Sequence, residues 1–401
     1  MVPALRKKYN EDFTEKKYKE YVDTMAALFP GHLEFRLAET PIFIPDSFRE
    51  QLISACENII DVISTPEYAA ESSRAIPSHL SVPGEDAHPH CIAFDFGVCK
   101  NEKGELEPQL IEMQGFPSLF AWQVLLPEVH AEHLFQPADY SVYLSGYSRE
   151  SYIDLLKRII IADEDPNNVI LLEILPHQQK TRVDFYATEK LLGIQTVCLT
   201  EIIREGRELF YLNDGSKTKV KRIYNRVIFD DLYQQSVEVQ ERGKIFQQEL
   251  DVTWVPHPNW FYRLSKYTLP FIDHPNVPRT RFLNQEALPV DLENYVVKPL
   301  FSFAGQGVII DVTKEEIEKI QDPENWIIQK KVQYAEAIET TNEPAKAEIR
   351  IFYFWEPGKE RPVPANNLAR LSKGKMIGVR YNQDKDWVGG SFCLFEKDSE
   401  G

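Results

Sequence analysis

The residues of this chain with the type and spacing for chemistry fall into two groups that lie far apart in sequence. Lys298 closes the β-branched run YVVK and is followed at once by Pro299 and by Ser302-Phe303-Ala304-Gly305-Gln306-Gly307. Glycines and small residues let backbone N–H groups approach a polyphosphate, and a lysine entering from the preceding strand offsets its charge. No Gly-Lys-Ser/Thr opens a helix here, so this is not a Walker loop. The segment also reads as a β-hairpin with a glycine turn and a surface lysine. The second group is Asp95 in AFDFG, with Glu112 and Gln114 in LIEMQGFPSLF. Two adjacent strands that place two carboxylates and an amide on one face make a hard, oxygen-rich site suited to magnesium. A half-exposed hairpin with solvated acids is the other reading. His88, His90 and Cys91 are donors suited to zinc, without an apparent fourth ligand. No Ser-His-Asp or Cys-His arrangement has usable spacing.

The elements that must position these residues follow from periodicity. Residues 1 to about 80 read mainly as helix. From Pro45 to Ile63, Pro, Asp and Ser stand in N-cap positions before Phe48, Leu52, Ile53, Cys56, Ile59, Ile60 and Ile63 at helical spacing. CIAFDFGV (91–98) and PQLIEMQ (108–114) flank the turn NEKGEL and predict a hairpin. A second section starts near Ser151 with the helix SYIDLLKRIII. DPNN then stops the chain before the apolar strand VILLEIL (169–175), a helix up to Gly193 and the strand IQTVCL (194–199). Strand, helix, strand is the pattern of a parallel sheet. Asp214-Gly215 between two β-rich runs over 209–229 predicts a hairpin.

The third section opens near Trp260, with a helix over 263–272 that ends at Pro270. The strand 295–300, the loop 301–308, the strand IIDV (309–312), a helix over 314–320 and the strand 326–332 follow. Long strands at 348–355 and 363–371 complete an α+β layout with an antiparallel sheet. The domains expected are thus 1–150, 151–259 and 260–401.

At 401 residues the chain can bury a large core. Its 43% hydrophobic and 12% aromatic content are those of a folded globule. A net charge of −17 argues against a nucleic-acid partner, because phosphate contacts need clustered Lys and Arg. The charge fits solubility and, weakly, a cationic substrate. Five cysteines, an odd number without a CxxC pair, fit a reducing cytosol. The N-terminus is charged and has no apolar h-region, and no apolar run approaches a membrane span. A cytoplasmic protein with no membrane partner is expected.

SKYTLPFIDHPNVPRTRFL, from Ser265, resembles the lysine-bearing helix of ATP-grasp enzymes and the strand after it. YVVKPLFSFAGQGV resembles their V-x-K-P strand and lid loop, and WIIQKKVQYAEAIE their hinge strand. EIRIFYF and NLARLSKGKMIGVRYNQDKDWVGG resemble their arginine-bearing strands and terminal Gly-Gly. The resemblance implies that Lys266 and Lys298 contact the α- and β-phosphates. It implies that Ser302, Gly305, Gln306 and Gly307 close over the γ-phosphate. Gln329, Lys330 and Val332 would frame adenine, and Glu336 would accept from ribose. Arg350 and Arg370 would face the transferred phosphoryl group and an acyl phosphate, where charge builds in the reaction. A strand-surface salt bridge is the other reading of each arginine.

In the usual ATP-grasp order the metal ligands follow the Gly-Gly, and here no such motif lies between Gly390 and Gly401. The acids at 95–114 instead match the order of glutathionylspermidine synthase and related permuted ATP-grasp proteins. This implies Asp95, Glu112 and Gln114 as metal ligands. Two departures stand out: Ala93 replaces an arginine of those synthases, and Gln114 replaces their Asn. The first removes thiol-peptide and polyamine substrates from what carries over. The middle section would be a βαβ pre-ATP-grasp domain, with Arg222 or Arg226 facing the cleft. The resemblance therefore implies an ATP-grasp fold in permuted order, with two α+β subdomains clasping ATP. It implies ATP and Mg2+ as cofactors and ADP-forming ligation of a small-molecule carboxylate to an amine. A nucleotide-binding protein without ligase turnover is the alternative. In space, Asp95, Glu112 and Gln114 should meet Lys298 across a cleft, as a cluster of like charges that needs a cation.

Overall fold

The two runs flanking the turn NEKGEL do form the hairpin at 91–114, as strands Cys91–Lys100 and Leu106–Gln114, and it is built into a larger sheet. The computed structural model describes residues 1–285, 287–301, 307–374, 382 and 384–397. The five strands of that sheet run in the order Gly389–Ser391, Val363–Ser372, Lys346–Phe354, Cys91–Lys100 and Leu106–Gln114, every pair antiparallel. One face carries Phe94, Phe96, Met113, Ile349, Ile351 and Leu371, all buried in the main core. Helix Asp46–Ile63 packs into the same core through Phe48, Leu52, Ala55, Cys56, Ile59, Ile60 and Ile63. Ile53 lies half-buried on the helix flank, and Pro45 caps the helix without a side-chain bond. Each fully buried side chain of this size contributes about 1.5–3 kcal/mol.

The middle section makes a parallel sheet in the order Thr253–Val255, Arg222–Asn225, Val169–Glu173, Gln195–Cys198. Helix Arg182–Leu192 is closed by Gly193 at φ 76°, where only glycine is unstrained. The β-rich run at 209–229 divides. Glu208–Asn213 and Ser216–Val220 pair around Asp214 and Gly215, both at positive φ, the backbone a two-residue hairpin turn needs. Arg222–Asn225 leaves them for the parallel sheet.

The third section differs from expectation at two places. The stretch 263–272 is a short α-turn, Trp260–Arg263, followed by a 3-10 helix, Lys266–Phe271, that runs through Pro270. A turn of i→i+3 bonds has no long ladder for proline to break. IIDV is not a strand, since Ile309 makes only an isolated bridge to Val297. The antiparallel sheet here is Thr280–Phe282, Trp326–Lys330, Tyr295–Pro299. The two ends of the chain also join. Ile42–Ile44 runs parallel to Cys393–Glu396, and Leu37 bridges Gly390. Helices Pro3–Asp12 and Glu15–Leu28 cover Trp122, Trp387 and Phe392. Among the described residues no helix is long and apolar enough to cross a membrane.

Candidate functional site

The pleat of the five-stranded sheet aligns Glu112, Asp95 and Arg350 in one row across three strands, with Glu348 opposite Arg370 in the next. Asp95, 2% exposed, accepts from Nε and Nη2 of Arg350 on its two oxygens, and from Nη2 of Arg370 at 3.0 Å. Arg370 also pairs with Glu348 at 2.9 Å, and the Tyr334 hydroxyl donates to Glu348 at 2.5 Å. Nη1 of Arg350 donates to the Ser118 hydroxyl at 2.9 Å. Burial pushes the Asp95 carboxyl up, but the two guanidiniums outweigh it and hold it below the usual carboxylate range. Glu348 goes the other way, raised by burial and by Asp95 and Glu112, and only partly offset by Arg370.

Beside this row stands Lys298. Its Nζ donates to Oε1 of Gln329 at 2.6 Å and reaches the Ile111 carbonyl at 3.5 Å, next to Glu112. Burial pushes it down to about 8, helped by the charge of Lys266 and opposed by Glu112 and Glu348. Lys266, buried in its 3-10 turn, is likewise lowered by burial and held up by Glu112. Thus the structure gathers Asp95, Glu112, Lys266, Lys298, Arg350 and Arg370 in one cluster. Asp95, Glu112 and Glu348 stand among two lysines and two arginines, so the acids do not form the expected group of like charges alone.

Gln329 is buried, and its side chain bridges Lys298 and the Thr280 hydroxyl (2.9 Å). It therefore sets the lysine. Lys330 is exposed at the end of strand Trp326–Lys330, and half-buried Val332 and exposed Glu336 flank a segment docked along Cys91–Lys100 through Ala335 N–H to the Val98 carbonyl at 2.8 Å. Gly307 takes φ 72°, and a Cβ there would meet Pro299 at 3.0 Å. Ser302, Gly305 and Gln306 lie outside the described residues. His88, His90 and Cys91 do not assemble. His88 stacks on Trp355 at 4.4 Å, His90 is pushed down to about 3 by burial, and Cys91 packs in an apolar core. Among the described residues no three His, Cys, Asp or Glu are grouped to hold a metal.

A cavity of about 600 Å³ opens on the polar face of the sheet. Gln114, Ser118, Arg350 and Arg370 line it, and Gly389-Gly390 form part of its wall. Of the two arginines left open by sequence, Arg226 lines the cavity, just past the carboxyl end of its strand, where ligands bind in open parallel sheets. Arg222 is turned away and donates to the carbonyls of Ile159 and Ile160. Ser118, Trp122 and the 35–36 segment were not singled out by sequence reasoning. For Ser118 the signal was its place just after the Glu-x-Gln pair.

No family model matches the chain, and no curated protein matches it. Among solved structures, a glutathione synthetase-like effector from Globodera pallida, in its apo form, superposes with a TM-score of 0.56 at 11% identity. The match spans 95% of this chain and 97% of that one. The chain therefore has a mixed α+β fold of several sheets, like that of a glutathione synthetase-like protein.

Proposed function

We propose that the protein is an ATP-dependent carboxylate–amine ligase, with ATP and magnesium at the Lys298 side and the acid in the 600 Å³ cavity. The observation that carries this reading is that Arg370 of the cavity wall, buried Lys266 and half-buried Lys298 all feel the charge of Glu112. The likeness to a glutathione synthetase-like fold supports it. In this reading Lys266 and Lys298 bind the phosphates, with Gln329 fixing the Lys298 ammonium. A carboxylate oxygen attacks the γ-phosphorus, ADP leaves, and Arg350 and Arg370 stabilise the charge on the phosphoryl oxygens. The amine then displaces phosphate from the acyl carbon and loses a proton, giving amide, ADP and phosphate.

The donors fit a hard cation in part. Glu112 and Gln114 are oxygen donors two residues apart on one strand face and would hold magnesium, which spreads phosphate charge when bound. Asp95 joins them only by giving up arginine contacts, since both its oxygens are engaged. That engagement favours the second reading, a nucleotide-binding protein without turnover. ADP release from ATP and magnesium, offered pools of carboxylates and amines, separates the two. ADP formed only with both pools present supports ligation. Tight ATP binding without ADP from any pool leaves the second reading.

A further inference from the structure

Every charged residue among those described in the cavity wall is an arginine: Arg36, Arg226, Arg350 and Arg370. In a chain of net charge −17 this is a local reversal of sign. Three of the four have carboxylate partners: Arg36 has Glu39, Arg350 has Asp95, and Arg370 has Asp95 and Glu348. Arg226 is different. It is 8% exposed, its Nη1 donates to the Ser118 carbonyl at 2.9 Å, and its Nε is buried with no hydrogen-bond partner among the described residues. The guanidinium lies by the rings of Phe116 and Phe185, 5.6 and 5.3 Å from their centroids. Two acids act on it without hydrogen-bonding it. Burial pushes Glu173 up to about 8, so it is largely protonated at neutral pH. Asp184, raised by burial to about 6, accepts the amides of Ala121 and Trp122. Arg226 is thus the one arginine of the wall to which, among the described residues, no carboxylate is hydrogen-bonded, and a charged donor in that position favours an anion.

Ser118 ties Arg226 through its carbonyl and Arg350 through its hydroxyl, so two guanidiniums flank one residue of the cavity wall. Phe116, Trp122 and Phe261 supply apolar wall. We propose that the cavity binds an acid with two carboxylates on an apolar frame, one at Arg350 and Arg370 and the second on Arg226. The inference takes from the ligase reading only which carboxylate reacts. It also reverses the weak expectation of a cationic substrate, since the charged groups a polyamine would meet in the described wall are all guanidiniums.

The test is calorimetric binding to the full chain of succinate, glutarate, adipate and phenylsuccinate, each against its monoamide, with spermidine as the cationic probe. At least one diacid should bind the parent about tenfold or more tighter than its monoamide, as charge-assisted pairs do. Arg226→Gln should bring the two to equal affinity. Arg226→Lys, which keeps the charge and loses the fork, should keep a reduced preference and covers the case in which Arg226→Gln does not fold. No diacid preference in the parent, the full preference kept in either variant, or spermidine displacing the acids would each overturn the proposal. Diacid binding as expected, with no ADP released from any acid and amine, would sink the ligase reading and leave this site standing. ADP released with monoacids as readily as with diacids would do the reverse.

Discussion

Lys298 is where burial and ligand charge oppose each other most directly. Its ammonium is pushed down to about 8, against about 10.4 for an unperturbed lysine. A group lowered on folding makes the unfolded chain bind more protons between those values, so stability rises as pH climbs from about 8 towards 10. Lys298→Met should flatten that rise and stabilise the ligand-free protein at pH 7 by about 1–2 kcal/mol, read by urea melts at pH 7 and 9.5. Phosphate charge favours the ammonium, so ATP binding at pH 8.5–9 should take up a proton, visible by calorimetry in buffers of different ionisation heat. Binding with no proton uptake would remove Lys298 from the phosphates. Lys298→Ala should weaken ATP binding by roughly 1.5–3 kcal/mol at pH 7, the worth of a charged hydrogen bond. Asp95 is the opposite case. Its carboxyl is held low by Arg350 and Arg370, so the stability it contributes is present above about pH 4 and is lost as pH falls through its lower folded value. Asp95→Asn leaves Arg350 buried without its counter-charge and should cost about 3 kcal/mol in urea unfolding at pH 7. A loss under about 1 kcal/mol would mean that the pair is weak and the arginines find other partners.

Among the elements, the seam between the 35–38 segment and Gly389-Gly390 closes the cavity, and glycine is required there. Gly389 takes φ 123°, and a Cβ on it would sit 2.3 Å from the Arg36 carbonyl oxygen. Gly389→Ala should unseat that segment, with a lower melting temperature and faster proteolysis near Arg36, whereas Gly358→Ala, with open space around it, should show only the cost of positive φ. Equal effects of the two would show that the seam is not a packing constraint. The elements themselves were largely legible. β-rich runs marked Cys91–Lys100 and Lys346–Phe354, the apolar run marked Val169–Glu173, and Asp-Gly marked the hairpin at 214–215. Failures came where local chemistry has no period, as in the 3-10 turn through Pro270 and in IIDV, which makes a single bridge. The site was legible as a set of residues and not as an arrangement. Asp95 and Arg350 are 255 positions apart, and nothing local says that the carboxylate faces a guanidinium. Gln329 likewise reads as a hinge residue until Tyr295–Pro299 pairs beside it and brings Lys298 within 2.6 Å.

For the molecule as a whole, the site depends on strands from opposite halves of the chain. The central sheet takes two strands from residues 91–114 and three from 346–391, and the Lys298 side chain reaches its outer edge at the Ile111 carbonyl. Cut at residue 260, the C-terminal part would keep its three strands but lose the partner of Lys346–Phe354, which pairs from Glu348 to Phe354 with Gly97 to Cys91. Ile349, Ile351 and Tyr353, now fully buried, would lose Phe94, Phe96 and the helix Asp46–Ile63 that share their core. At about 1.5–3 kcal/mol for each exposed side chain, the loss is comparable to the 5–15 kcal/mol that holds a typical domain folded. An open nine-residue edge strand with apolar neighbours is also a template for aggregation. Residues 260–401 expressed alone should therefore lack cooperative unfolding, bind a hydrophobic dye and fail to bind ATP. Co-expression with residues 1–259 should recover a cooperative melt, because the missing strands are then supplied in trans. A sharp thermal transition and ATP binding by 260–401 alone would show instead that the nucleotide side folds without the 91–114 hairpin, and that the acidic residues on that hairpin are not needed to assemble the phosphate site.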